Sequence, residues 1–251
     1  MKDKEEMKVN LMDFTKSIYS QHGQDGVLEE IYKRIGTTNK FFVEFGSSGR
    51  QDSQGNTAYL RTQGFDGLLM DGYEAPYSEK VERDYPVQIE FITPENINTL
   101  FEKYNVPHEF DLLSIDIDGQ DFHVWNSIDQ KYKPRVVVIE SNYYMFPKVD
   151  KVQPYDVRWV WDGTHRYGSS IRALMNLGIK KGYSLVAYTG ADGIFVRTDI
   201  LTEKRIDFQF TNNDEALWYM NFQQGTLPKE EHVQINFEDT EFFKPSSFYL
   251  K

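Results

Sequence analysis

Acidic residues recur in this chain where short apolar runs end, and glycines stand beside them. The first run, Phe41-Phe42-Val43-Glu44-Phe45, stops at Gly46-Ser47-Ser48-Gly49. The second, Gly67-Leu68-Leu69-Met70, stops at Asp71-Gly72. A carboxylate that closes a strand can accept hydrogen bonds from both hydroxyls of a ribose, and glycine lets the backbone approach a bound cofactor closely. Two further runs end in Asp116-x-Asp118 and Glu140-x-Asn142. If the two strands are neighbours, three carboxylates and an amide oxygen project into one crevice. That donor set suits Mg²⁺, and less selectively Ca²⁺ or Mn²⁺. The same groups can instead cap strand ends by accepting backbone N–H bonds, and Asp118-Gly119 is ordinary turn chemistry. His165, in Trp161-Asp162-Gly163-Thr164-His165-Arg166-Tyr167-Gly168, is the histidine best placed in sequence to act as a general base above such a crevice. His22 and His123 are further candidates, while His108 and His232 read as surface residues.

The elements that must position these groups alternate. Apolar runs at 41–45, 67–70, 87–92, 111–116 and 135–140 read as strands, with helix-compatible segments near 56–64, 76–84, 94–104 and 120–130. Pro94-Glu95-Asn96 offers a proline and an acid to a first helical turn. Near-continuous apolar strands separated by helices imply a parallel sheet covered on both faces, and right-handed crossovers make it doubly wound. A helix at about 169–181 and strands near 183–189 and 193–198 follow. The two strands form a hairpin through Thr189-Gly190-Ala191-Asp192-Gly193. The expected fold is therefore α/β, a doubly wound, mostly parallel, seven-stranded sheet with an antiparallel edge hairpin.

Residues 141–167 are aromatic, contain proline and are too long for an ordinary connection, so they are expected to cover the crevice mouth. Tyr143-Tyr144-Met145-Phe146 and Trp159-Val160-Trp161 could line an acceptor pocket or bury this loop against the sheet. No linker divides the chain, which reads as one domain with a core over 18–198. Residues 199–251 form an extension of unassigned role that could supply an oligomer interface.

Several classes are disfavoured by composition. Net charge is −11, from 39 acidic and 28 basic residues, and no basic cluster suited to nucleic acid or anionic membrane is present. Lys180-Lys181 falls at a helix end, where cations suit the dipole. With no cysteine there are no disulfides, thiolate metal sites or cysteine nucleophiles. The charged start MKDKEEMKVN and the lack of a bilayer-length apolar run make the cytoplasm the expected location.

A dinucleotide site calls for G-x-G-x-x-G with a pyrophosphate on the helix that follows. Here the spacing is G-x-x-G, preceded by Glu44, whose carboxylate would repel a pyrophosphate and suit an ammonium group. The pattern E-x-G-x-x-G resembles the first motif of S-adenosylmethionine methyltransferases. The phrases SQHGQDG (Ser20 to Gly26), FFVEFGSSGRQDSQGNT (Phe41 to Thr57), GFDGLLMDG (Gly64 to Gly72), DLLSIDIDGQDFHVW (Asp111 to Trp125), PRVVVIESN (Pro134 to Asn142) and GYSLVAYTGADGIFVR (Gly182 to Arg197) together resemble the FkbM-type methyltransferases over about 18–198. That resemblance implies a class I methyltransferase fold. It also implies S-adenosyl-L-methionine held near Glu44, Gly46, Ser47, Gly49, Asp71, Gly72 and Asp116, and O-methylation of a small molecule or glycan. Proton removal would fall to His165 or Asp116, or to Mg²⁺ or Mn²⁺ on Asp116, Asp118, Glu140 and Asn142. Two other readings stay open: a metal-dependent nucleotide-sugar glycosyltransferase using Asp116-x-Asp118, and a non-catalytic cofactor-binding protein.

Overall fold

The computed structural model describes residues 7–51, 54–72 and 83–208. Seven strands form one sheet: β2 (Phe41–Phe45), β3 (Asp66–Asp71), β4 (Val87–Ile89), β5 (Glu109–Ile115), β6 (Lys133–Glu140), β7 (Tyr183–Thr189) and β8 (Asp192–Arg197). Their order across the sheet is β4-β3-β2-β5-β6-β8-β7. All neighbours are parallel except β6 with β8 and β8 with β7. The expected mostly parallel sheet with an antiparallel pair at one edge is thus present.

The chain lays strands outward from β2 to β4, then returns to place β5 and β6 on the other side. Between β2 and β5 the winding therefore reverses, and the connections that leave the carboxyl ends of these two strands run to opposite sides, the arrangement that opens a crevice in such sheets. Each strand near this point is apolar without alternation because both faces are covered. Val43, Leu113 and Val137 pack into one core, with Phe101, Phe122 and Trp125. Phe42, Leu112 and Val136 pack into the other, with Val27, Leu28 and Ile31.

Those last three residues belong to α1 (Gln24–Ile35), which sequence reading did not separate from the loop before it. Asp25 explains how the helix is held: its Oδ2 accepts the backbone N–H groups of Ile18, Tyr19 and Ser20 at 2.8, 2.6 and 2.9 Å. The remaining helices are α2 (Ala58–Thr62), α3 (Ile97–Lys103), α4 (Asp121–Ser127), α5 (Ile171–Lys181) and α6 (Thr198–Lys204). Helix α3 begins after Asn96, so Pro94 and Glu95 lie in the preceding turn rather than in the first helical turn. The segment near 76–84 falls mostly outside the described residues. Strand β9 (Ile206–Phe208) pairs in parallel with β1 (Met7–Val9), which gives the start of the C-terminal extension a place beside α1. Residues 209–251 lie outside the described residues. Among the described residues, no helix is long and apolar enough to cross a membrane.

The amino end of β5 carries a buried anchor. Asp111 is fully buried, accepts the N–H groups of Thr38 and Lys40 at 2.9 and 2.7 Å, and pairs with Arg135 Nε at 3.1 Å. Removing one partner of a buried pair leaves the other charge uncompensated. Asp111→Ala should therefore cost about 3–5 kcal/mol in urea unfolding. A cost below about 1 kcal/mol, the range of an exposed pair, would contradict the anchoring role.

Candidate functional site

A cavity of about 590 Å³ opens at the carboxyl edge of the sheet, over the β2–β5 reversal. Its floor comes from strand ends. Gly46 leaves β2 with φ +74°, and its N–H donates to the Met70 carbonyl at 2.9 Å. A Cβ there would collide with the carbonyl oxygen of Asp116, so only glycine allows the two strand ends to touch. Asp71 and Gly72 border the cavity from β3, and Phe91-Ile92-Thr93 from the segment after β4. Asp116, Ile117, Asp118 and Gln120 complete the floor after β5.

The turn after β5 is held from below. Asp121 accepts the N–H groups of Ile117 and Gly119, each at 2.9 Å, and Asp118 adopts φ +58°. The side chain of Trp159 donates to the Asp118 carbonyl at 3.2 Å. His123 Nε2 meets the Gln153 carbonyl at 2.7 Å, and Gln153 Oε1 accepts from Gly168 N–H at 2.8 Å. By these bonds the 141–167 loop is stitched to the turn that forms the floor. Tyr155, Val157, Trp159, Val160 and Trp161 thereby become a cavity wall. Trp161 and Val160 remain 50% and 60% exposed, so this part of the loop faces the opening rather than the core. The first part behaves differently: Tyr144 is buried, stacks on Tyr143 with centroids 4.5 Å apart, and packs against Tyr167.

The residues expected to act together divide into two groups. Gly46, Asp71, Gly72, Asp116 and Asp118 line the cavity, whereas Glu44, Ser47, Gly49, Glu140, Asn142 and His165 are not among its lining residues. Glu44 is buried and occupied: its carboxylate accepts Asn56 N–H at 2.7 Å and the Thr57 hydroxyl. It thus holds the start of α2 against β2. Ser47 is buried, and Gly49 backs onto Tyr85 and Val87. Asn142 spends its amide on the covering loop, donating to the carbonyls of His165 and Tyr167, both at 2.8 Å, and accepting Tyr144 N–H at 2.9 Å. The His165 ring lies against Tyr144, centroids 3.7 Å apart.

Glu140 ends β6 beside the floor. One carboxylate oxygen from each of Asp116, Asp118 and Glu140 lies within 4.8 Å of the others, and Glu140 Oε2 is buried without a hydrogen-bond partner among the described residues. These three oxygens could hold a hard cation. Solvent reaches the crevice side of Asp116, but enclosure by the protein still raises its carboxyl well above the ordinary range. The negative charges of Asp192, Asp121, Asp118 and Glu44 add to that effect. Burial, then Asp116 and Asp121, raise Glu140 likewise. Burial also pushes Asp121 up to about 7, against the opposing pull of its backbone N–H bonds. Asp192, at the hairpin, is raised by burial and held by the side-chain amide of Gln24, with His22 near enough to draw it back down.

Sequence reading missed Phe91, Gln120, Tyr155, Gln24 and Asp192 as members of this region. Phe91 and Asp192 could have been found by following every strand to its crevice end. Gln24 and Tyr155 reach the site only through folding of distant segments. No protein-family model and no curated protein matches the chain.

The acid cluster sets a sign for pH dependence. Groups whose folded pKa exceeds the unfolded value near 4 bind protons more tightly when folded. Stability is then greatest below about pH 4 as far as these groups decide it, and is lost as pH rises toward about 7, the value to which buried Asp121 is pushed. Urea unfolding across pH 4–7 should show that fall, and Glu140→Gln should flatten it. A stability that climbs throughout this window would mean that the carboxylates are stabilised in charged form.

Proposed function

We propose that this chain is an S-adenosylmethionine-dependent methyltransferase acting on a hydroxyl group. The observation that carries the reading is the acidic, cation-free lining of the crevice. Its described lining residues include Asp71, Asp116, Asp118 and Asp156 and no lysine, arginine or histidine. A sulfonium cofactor is a net cation and gains from such a field. A dinucleotide or nucleotide-sugar diphosphate is a net anion and is repelled, unless a metal intervenes. The position of the crevice at the strand reversal supports a nucleoside-type ligand, and so does the carboxylate of Asp71 ending β3 where ribose hydroxyls would be read. The strand order, with its antiparallel pair beyond β6, is compatible with the class I methyltransferase arrangement that the sequence resemblance implies.

In this reading the chain's main contribution is alignment. Methyl transfer is a displacement in which acceptor oxygen, methyl carbon and sulfur lie in line, so holding both reactants at one floor removes most of the entropic barrier. Gly46 lets the cofactor approach the β2 end, and Asp71 orients its ribose. Asp116, on the floor, is the group positioned to take the acceptor's proton; His165, packed on Tyr144 outside the lining, is a weaker candidate. Asp116, Asp118 and Glu140 fit a divalent cation, since one oxygen of each converges and Glu140 Oε2 lacks a partner among the described residues. Such an ion would supply acidification of the acceptor hydroxyl. Asn142 is committed to the covering loop by three hydrogen bonds and stands apart from the set. The glycosyltransferase reading retains one supporting observation: Asp116 and Asp118 both face the cavity, as a metal-diphosphate site would need.

Asp71→Ala provides the test. Loss of charge-assisted hydrogen bonds to the ribose should weaken S-adenosylhomocysteine binding at least about tenfold by calorimetry, with the melting temperature unchanged. Unaltered affinity would detach β3 from the cofactor and remove the main support for this reading.

A further inference from the structure

Gln120 stands out among the floor residues because its amide is buried without a partner. The residue is 8% exposed, and neither Nε2 nor Oε1 has a hydrogen-bond partner among the described residues. It lines the cavity beside Asp116 and Asp118. Leaving a buried donor and acceptor both unmade is costly, and native proteins rarely tolerate it without a use. Helix α4 does not explain the side chain. The backbone carbonyl of Gln120 accepts the N–H groups of His123 and Val124 at 3.0 and 3.1 Å, while the side chain makes no capping bond. An apolar side chain of similar size would serve the helix as well.

We propose that Gln120, whose amide is enclosed in this rotamer, turns it into the cavity to read the methyl acceptor, and that the acceptor is an uncharged or cationic molecule presenting a donor and an acceptor side by side, such as a vicinal diol or an amino alcohol on a ring. An amide offers one N–H₂ group and one carbonyl oxygen a short distance apart, so it pairs with a neighbouring acceptor and donor on the ligand. With no metal on Asp116, Asp118 and Glu140, the acidic lining disfavours phosphate- and carboxylate-bearing forms of such a molecule by like-charge repulsion. Tyr155, Trp159 and Trp161 on the same cavity wall offer aromatic faces to the apolar face of a saturated ring or to an ammonium group. The assignment of this ligand as methyl acceptor rests on the methyltransferase reading; its binding does not.

The test uses the whole chain loaded with S-adenosylhomocysteine and three probes observed by saturation-transfer NMR: methyl glucoside, glucosamine and glucose 6-phosphate. The neutral and amino probes should bind and the phosphate should not. Gln120→Leu should weaken both binders about tenfold, the effect of losing one or two hydrogen bonds. The same change should leave S-adenosylhomocysteine affinity unaltered and the melting temperature equal or higher, since it removes an unsatisfied amide. Preference for the phosphate probe, no binding of either other probe, or undiminished binding to Gln120→Leu would each overturn the proposal. Loss of S-adenosylhomocysteine binding in Gln120→Leu would also overturn it, by giving the amide to the cofactor. If the unmodified protein ignores S-adenosylhomocysteine but its sugar binding still depends on Gln120, the methyltransferase reading fails alone.

Discussion

Carboxylates crowded into a partly enclosed space raise one another's pKa, and each added charge makes the next harder to hold. At the carboxyl edge of this sheet Asp116, Asp118, Asp121, Glu140 and Asp192 face that constraint together. Much of the surrounding architecture can be understood as its consequence. Asp121 is tied down by two backbone N–H groups, Asp192 by Gln24, and Glu44 by Asn56 and Thr57. Among the described residues Asp116 and Asp118 have no comparable bonds, and they line the cavity, where a cation could answer them. A fold that gathers carboxylates at a strand reversal would, in the proposed reading, select its ligands by sign before any shape is read.

The covering loop answers a second need. An irregular segment of this length must find partners for its backbone polar groups, and here several come from buried amides. Asn142 and Gln153 tie the loop to itself, Trp159 ties it to the turn after β5 and His123 to α4, and a bridge between Val152 and Ser169 closes its base. Because both ends are fixed, the middle can leave Trp161 and Val160 exposed at the cavity mouth without dissolving the wall. Loop and floor are therefore one mechanical unit, and a substitution in Asn142 or Gln153 reaches the crevice through it.

The sheet was legible in the sequence because its strands are buried on both faces. Runs such as Val136-Val137-Val138-Ile139 admit no other reading once helices alternate with them. The hairpin was legible from the glycines that bracket Ala191-Asp192. Helix α1 was not, because its apolar positions follow a glycine-containing loop whose order comes from a single carboxylate, Asp25. Strands β1 and β9 are three residues each and pair across nearly the whole chain, so no local pattern announces them. Within the site, Asp71, Gly46, Asp116 and Asp118 followed from the rule that strand ends carry ligands. Glu44 and Asn142 have the expected residue types at the expected positions, but their hydrogen bonds turn inward, a choice of rotamer that spacing alone does not encode. Gln120 was invisible for the opposite reason: what distinguishes it is a bond not made, which only the folded surroundings reveal.

The central claim is that a negative crevice between β2 and β5 holds a cationic nucleoside cofactor. Calorimetric titration of the whole chain with S-adenosylmethionine, NAD⁺ and a uridine diphosphate sugar tests it most directly. The account predicts saturable binding of S-adenosylmethionine that weakens as ionic strength rises, and no heat from the two anions. Tight binding of the diphosphate sugar, with S-adenosylmethionine inert, would contradict it.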